Sequence, residues 1–254
     1  MKFRTIFLQG LLILASGFIH CAGAETGLVG AATETAPVVS KSSTPLPRDG
    51  QIEYALQAGD KGMTLARIVH KWHLDGNSYV LSGEMKAVGL VALFKRGKVT
   101  QRSEGTIDST GLKPKSFRLD RGNGDIESAS LDWRQMTATV TDKRQWPITK
   151  GTQDGLSIFY QIGRGAMPTE GLEMDMVSGR KVERYAFDWR GEETVSVPAG
   201  EYRAWRVRIR ATSGDRDLKE VWLATTANLP VKIRLVDRKG EVLVMVAEKI
   251  GFEQ

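Results

Sequence analysis

Cysteine is almost absent from these 254 residues: there is one, Cys21, beside only three histidines. A lone thiol closes no internal disulfide and builds no multi-cysteine zinc or iron–sulfur site. So few imidazoles leave little for a histidine-rich metal site either. His70 and His73 lie three apart in a run that reads as a strand, so they point to opposite faces and cannot share a metal. Gly-x-Ser-x-Gly and His-Glu-x-x-His are both missing. No glycine-rich phosphate loop precedes a helix. These absences predict a chain with no metal, no cofactor and no catalytic residues. Apolar residues (41%) and charged residues (26%) are not scarce. Their proportions are those of a globular protein.

The N-terminus reads as an address. Lys2 and Arg4 precede an apolar run from Ile6 to Ile19, shorter than the roughly 20 residues a bilayer span needs. Ala22-Gly23-Ala24 then supplies a small-x-small cleavage pattern. Residues 1–24 are expected to be a secretory signal peptide cut after Ala24, which places the mature chain in the periplasm with no transmembrane span. Lipidation at Cys21 is disfavoured by His20, where a small residue is required. Cleavage removes Lys2 and Arg4, lowers the formal charge from +6 to +4 and takes away the cysteine. An exported chain without disulfides rests on its core alone. A domain near 200 residues buries roughly 70% of its surface and manages this.

Residues 25–49 hold Pro37, Pro45 and Pro47 among small polar residues and lack apolar periodicity, as a flexible linker does. A β domain is expected over 50–254. Large apolar residues alternate through Ile52–Leu56. Ala66, Ile68, Trp72 and Leu74 share one strand face, with Arg67, Lys71 and His73 opposite. Asp75-Gly76-Asn77 predicts a hairpin that returns through Tyr79, Leu81 and Met85. Further runs follow at 99–107, 115–121, 126–133, 137–143, 172–176, 181–189, 192–197, 201–211, 217–224, 229–237 and 241–250. Gly111 and Pro114 are assigned to the turn after the first of these. Only Gly155–Ile162 favours a helix, with Thr152 or Asp154 as its cap. Short connections imply antiparallel neighbours. The expected fold is mainly β: one strongly curved antiparallel sheet, or an open β-barrel, of about a dozen strands with one short helix.

Two strand faces carry information about function. Arg206, Arg208 and Arg210 alternate with Trp205, Val207 and Ile209, and the turn lengths place Arg208 opposite Glu220 and Glu220 opposite Arg234. This charged outer face is read first as a solvated surface of weak cross-strand pairs, and second as a basic strip for anionic lipids or glycans. The last strand is apolar on both faces (Val242, Val244, Val246 and Leu243, Met245, Ala247). It needs cover on both sides, from the 155–162 helix or from a ligand. Asp120–Glu127 has the acids of a calcium loop without the spacing, and reads as a polar turn. Asp154, Glu173 and Asp175 are the nearest candidates for a carboxylate pair of the glycosidase kind.

The segments Val197-Pro198-Ala199-Gly200-Glu201-Tyr202, Val221-Trp222-Leu223-Ala224 and Leu229-Pro230-Val231-Lys232-Ile233 resemble the uncharacterised bacterial envelope family named domain of unknown function 3108. Asp154-Gly155-Leu156-Ser157-Ile158-Phe159-Tyr160 is similar to that family's central helix. The resemblance spans most of residues 51–250. It implies an exported, mainly β domain and supplies no catalytic residues. Periplasmic carriers of lipoproteins and lipids are a looser analogy, by architecture only. The leading expectation is a non-enzymatic envelope protein binding an apolar or amphipathic ligand, such as a lipid, on the concave face of its sheet. Phe159, Met174, Met176, Trp205 and Trp222 would line that face, within a chain rich in tryptophan and in clustered methionines (Met167, Met174, Met176). The alternatives are a structural or protein-interaction module of the envelope, and a carboxylate hydrolase. Nucleic acid is not an expected partner.

Overall fold

The computed structural model describes residues 46–94, 97–164, 171–213 and 218–253. The expected signal peptide, most of the linker, Met167 and the turn at Gly214 lie outside them. Fifteen strands are present: β1 (Asp49–Ala58), β2 (Thr64–Asp75), β3 (Ser78–Ala87), β4 (Lys98–Asp108), β5 (Gly111–Asp120), β6 (Ile126–Asp132), β7 (Thr137–Val140), β8 (Gln145–Pro147), β9 (Gln153–Asp154), β10 (Leu172–Val177), β11 (Val182–Val197), β12 (Gly200–Ala211), β13 (Leu218–Ala224), β14 (Pro230–Val236) and β15 (Val242–Glu253). Among the described residues, two short helices complete the set, α1 (Gly89–Phe94) and α2 (Ile158–Gln161).

All fifteen strands form one open sheet, ordered β8-β7-β6-β5-β4-β3-β2-β1-β15-β14-β13-β12-β11-β10-β9. The first and last strands pair antiparallel at its centre, Ile52 opposite Ile250. Two wings extend outward from this central pair, each built of consecutive hairpins. The exception is β9, which runs parallel to β10. The outermost strands, β8 and β9, are consecutive in the chain. Residues 148–152 therefore step from one edge of the sheet to the other, which is what a curled, barrel-like sheet permits.

Local chemistry explains most of the ladder. The β2–β3 hairpin closes on Gly76-Asn77, with Asp75 opposite Ser78 and Gly76 at φ +55. Pro114 sits inside β5, not in the turn the sequence suggested. The tight turn is Ser109-Thr110, and the ladder shifts register where Gly105 faces Pro114. A proline lacks the N–H a ladder needs, so it is tolerated at such a bulge. A Cβ on Gly105 would lie 2.2 Å from the Lys113 carbonyl oxygen, so only glycine fits opposite. The runs 181–189 and 192–197 join as one strand, β11, with an irregularity between Trp189 and Glu192. Helix α1 was not expected at all.

One face of the sheet forms the core. Tyr54, Tyr79, Phe117 and Phe187 are its largest fully buried side chains, and the Tyr54 hydroxyl donates to the Pro230 carbonyl at 2.7 Å. The opposite side of β15 is buried as well, at Val244 and Val246. The sequence proposed the 155–162 helix as one cover for it. That helix lies within the core, and the β11–β12 hairpin reaches β15 instead: the Ala199 N–H donates to the Ala247 carbonyl at 2.9 Å.

Candidate functional site

The concave side of the sheet is occupied by the chain itself. After β8 the backbone turns inward, and Thr152, Gln153, Asp154, Leu156, Ser157, Ile158, Phe159, Tyr160 and Ile162 are all buried. Polar pins hold this plug. The Asp154 Oδ1 accepts the Leu156 and Ser157 amides at 2.9 and 2.8 Å, and the Asp154 amide donates to the Ser157 Oγ at 2.9 Å. This reciprocal arrangement starts the turn that becomes α2, as an N-terminal cap does. The Ser103 hydroxyl on β4 donates to the Asp154 Oδ2 at 2.5 Å and contacts the Tyr79 hydroxyl at 3.1 Å. Gln161 bridges the β4–β5 turn: its Oε1 accepts the Leu112 amide at 2.7 Å and its Nε2 donates to the Thr110 carbonyl at 2.9 Å.

Burial sets the protonation of this interior. It pushes the Asp154 carboxyl up to about 6, against the pull of its hydrogen-bond donors. It brings His70 down to about 4. The neutral imidazole meets the Tyr160 hydroxyl through Nδ1 at 3.1 Å and stands edge-on to Tyr54. A void of about 20 Å³ remains between His70, Met85, Phe159, Ile233 and Met245. That is room for one water, not for an acyl chain.

The five residues expected to line a cavity do not share one surface. Phe159 belongs to the plug and borders the small void. Met174 is buried and Met176 half-buried on β10, opposite Tyr185 and Glu183. Trp205 is half-buried on the core face and packs edge-to-face on Trp189. Trp222 lies on the other face, because it pairs with Arg206 where Leu223 pairs with Trp205. Its indole N–H donates to the Glu193 Oε1 at 2.5 Å, and Arg206 and Lys232 stack on the ring.

On that outer face, Arg208 does stand opposite Glu220, and Glu220 opposite Arg234. The carboxylate is only 2% exposed and meets Arg206 at 2.6 Å, Arg234 at 3.4 Å and Arg208 at 3.7 Å. Arg210 pairs with Asp188 at 2.8 Å and Arg234 also with Asp60 at 3.0 Å. Four arginines on this face are thus held by three acids, and Glu220 is shared among Arg206, Arg208 and Arg234.

Of the three acids considered for hydrolysis, Asp154 stands apart, while Glu173 and Asp175 are bridged by Arg184. Asp154 is sealed in the plug. Asp175 is held by Arg184 at 2.9 Å and Thr149 at 2.6 Å. Glu173, two residues earlier on the same strand face, meets the same Arg184 at 3.9 Å. The Asp120–Glu127 run forms the β5–β6 turn. His70 is buried, whereas His73 is exposed beside Asp49. Among the described residues no group of three His, Asp or Glu side chains is placed to hold a metal ion.

The sequence reading missed α1. It contacts β2 and β3, and it leaves Leu90 and Leu93 exposed at 68% and 70%. The signal was present: Leu90, Val91 and Leu93 stand in a connection, where an apolar run has no strand partner.

A family model for proteins of unknown function, DUF3108, matches residues 51–247. A β-barrel-like protein of domain of unknown function DUF1849 from Brucella abortus is 12% identical, with a TM-score of 0.52 over 83% of this chain and 100% of that chain. A Bacteroides fragilis protein with a YmcC-like fold is 11% identical, with a TM-score of 0.36 over 82% of this chain and 97% of that one. No curated protein matches.

Proposed function

The chain belongs to the DUF3108 family of proteins of unknown function, and from that premise we propose an exported, non-enzymatic envelope module that acts through its outer surface. One observation carries the reading: the concave side of the sheet is filled by residues 152–162, with a void of about 20 Å³ beside them. A ligand-binding barrel keeps several hundred cubic ångströms open. The sealed Asp154, the paired Asp175 and the neutral His70 are arranged to hold the fold. The Lys2, Arg4 and Ala22-Gly23-Ala24 pattern supports export.

Carriage of a lipid along the inner face is the second reading. It is favoured by the apolar lining around Phe159, Met85 and Met245, and it requires the plug to leave. Native mass spectrometry of protein purified from the periplasm, followed by lipid extraction, separates the two. The surface-acting module arrives empty, with a mass that begins at Glu25. Stoichiometric co-purified lipid would replace it with the carrier reading.

A further inference from the structure

We propose that α1 is a membrane-docking tip that dips into the headgroup region of an anionic bilayer. This deepens the surface-acting reading by naming the surface and its partner.

The tip is built, not frayed. Gly89 at φ +58 turns the chain out of β3. The Val88 amide donates to the Leu65 carbonyl at 2.9 Å and fixes the base of the helix to β2. Val91 packs partly against the core. Leu90 and Leu93, at i and i+3, therefore share the face that points away from it. Met63, 51% exposed, precedes β2 at the same rim. Scattered exposed apolar residues are ordinary. Two leucines and a methionine held outward together on one rigid rim are an apolar tip that water solvates poorly.

Charge around the tip selects the partner. Lys61, Lys86 and Lys98 are exposed about it. Lys86 and Lys98 share a single acid, Glu84, at 2.7 and 2.8 Å. The neighbouring acid, Asp60, is already paired with Arg234. The rim thus carries net positive charge around an apolar point. That pattern matches an interfacial membrane element, in which apolar side chains enter the acyl boundary and lysines meet lipid phosphates. A protein partner would need roughly 800 Å² from this side, far more than three side chains on a convex tip present.

The test is co-sedimentation of the purified protein with vesicles of phosphatidylglycerol and phosphatidylcholine, against phosphatidylcholine alone. The intact mass is read first, so retention of residues 1–24 is recognised separately from any failure of docking. The protein is expected to bind the anionic vesicles, and more weakly as salt rises. The double variant L90S/L93S should keep its thermal unfolding and lose about 100-fold in affinity, near tenfold per leucine withdrawn from an apolar contact. L93W should show a blue-shifted emission only when anionic vesicles are present. Equal binding by L90S/L93S would overturn the proposal, as would no binding to either vesicle. So would a vesicle-free dimer that the double variant abolishes, since the tip would then be a contact between copies of the chain.

Discussion

Two buried titratable residues pull the stability of this protein in opposite directions with pH. The Asp154 carboxyl is raised from 3.8 to about 6 by burial, so the folded state prefers it protonated. Its contribution is full below about pH 4 and is lost as pH rises to about 6. The His70 imidazole is lowered from 6.5 to about 4, so the folded state prefers it neutral. Its contribution is full above about pH 6.5 and is lost as pH falls to about 4. Each shift corresponds to roughly 3 kcal/mol, and the two slopes nearly cancel between them. Urea denaturation across this window is expected to show a nearly flat midpoint for the native protein. Asp154→Asn should lose stability as pH falls, and His70→Gln should gain it. Parallel profiles for all three proteins would refute the assignment. Asp154→Ala should also cost about 3 kcal/mol, because it strands the amides of Leu156 and Ser157; the asparagine keeps an acceptor for both and should cost less. On the outer face, Glu220→Ala leaves Arg206, Arg208 and Arg234 facing one another. Breaking a fully buried pair costs about 3–5 kcal/mol. These arginines are a quarter to a third exposed, so about 2 kcal/mol is expected from the denaturation midpoint.

At the level of elements, the plug is the unusual part. A tetrapeptide helix has no stability of its own, and α2 persists because Ile158, Phe159 and Tyr160 are buried on every side. Phe159→Ala should therefore cost about 3–5 kcal/mol if the surrounding sheet cannot collapse. It should also enlarge the void enough for a small apolar probe such as benzene to raise the melting temperature; no stabilisation by the probe would mean that the site closes. Much of the strand pattern was legible in the sequence for a simple reason. Period-2 alternation fixes which residues share a face, and short turns such as Thr226-Ala227-Asn228 fix the offset, so the pairing of Arg208, Glu220 and Arg234 followed from counting. The seat of Asp154 was not legible. Its partner Ser103 comes from β4, 51 residues away, and nothing local encodes that meeting. Helix α1 was missed because its apolar residues face outward, which a reading based on burial does not anticipate. The opposite faces of Trp205 and Trp222 were within reach of the same counting that placed Arg208. Grouping residues by type, as a cavity lining, overrode it.

At the scale of the whole molecule, a fifteen-stranded sheet stays curled although, among the described residues, no strand ladder joins its two edges. The wings meet through the β10–β11 turn. Its Gly179 carbonyl accepts the Thr141 amide at 3.0 Å, and its Arg180 reaches Glu127 at 2.7 Å and Asp125 at 3.1 Å across the seam. Glu127 is buried and also holds Arg121 at 2.6 Å. A Cβ on Gly179 would sit 2.2 Å from the Glu127 Cβ, so the approach of the wings depends on that glycine. This seam rests on one main-chain hydrogen bond and a few side chains, whereas the β1–β15 centre is a ten-pair ladder. Loosening should therefore begin at the seam, since local opening follows the least protected region. Gly179→Val is expected to raise amide hydrogen exchange in β10, β9 and β6 while leaving β1 and β15 protected. Arg180→Ala should do the same more mildly, because Arg180 is half-exposed and Arg121 still neutralises Glu127. Uniform loss of protection in both variants would mean that the sheet opens as one unit, and that the curl is set by the twist of its strands and the plug they enclose instead of by the seam.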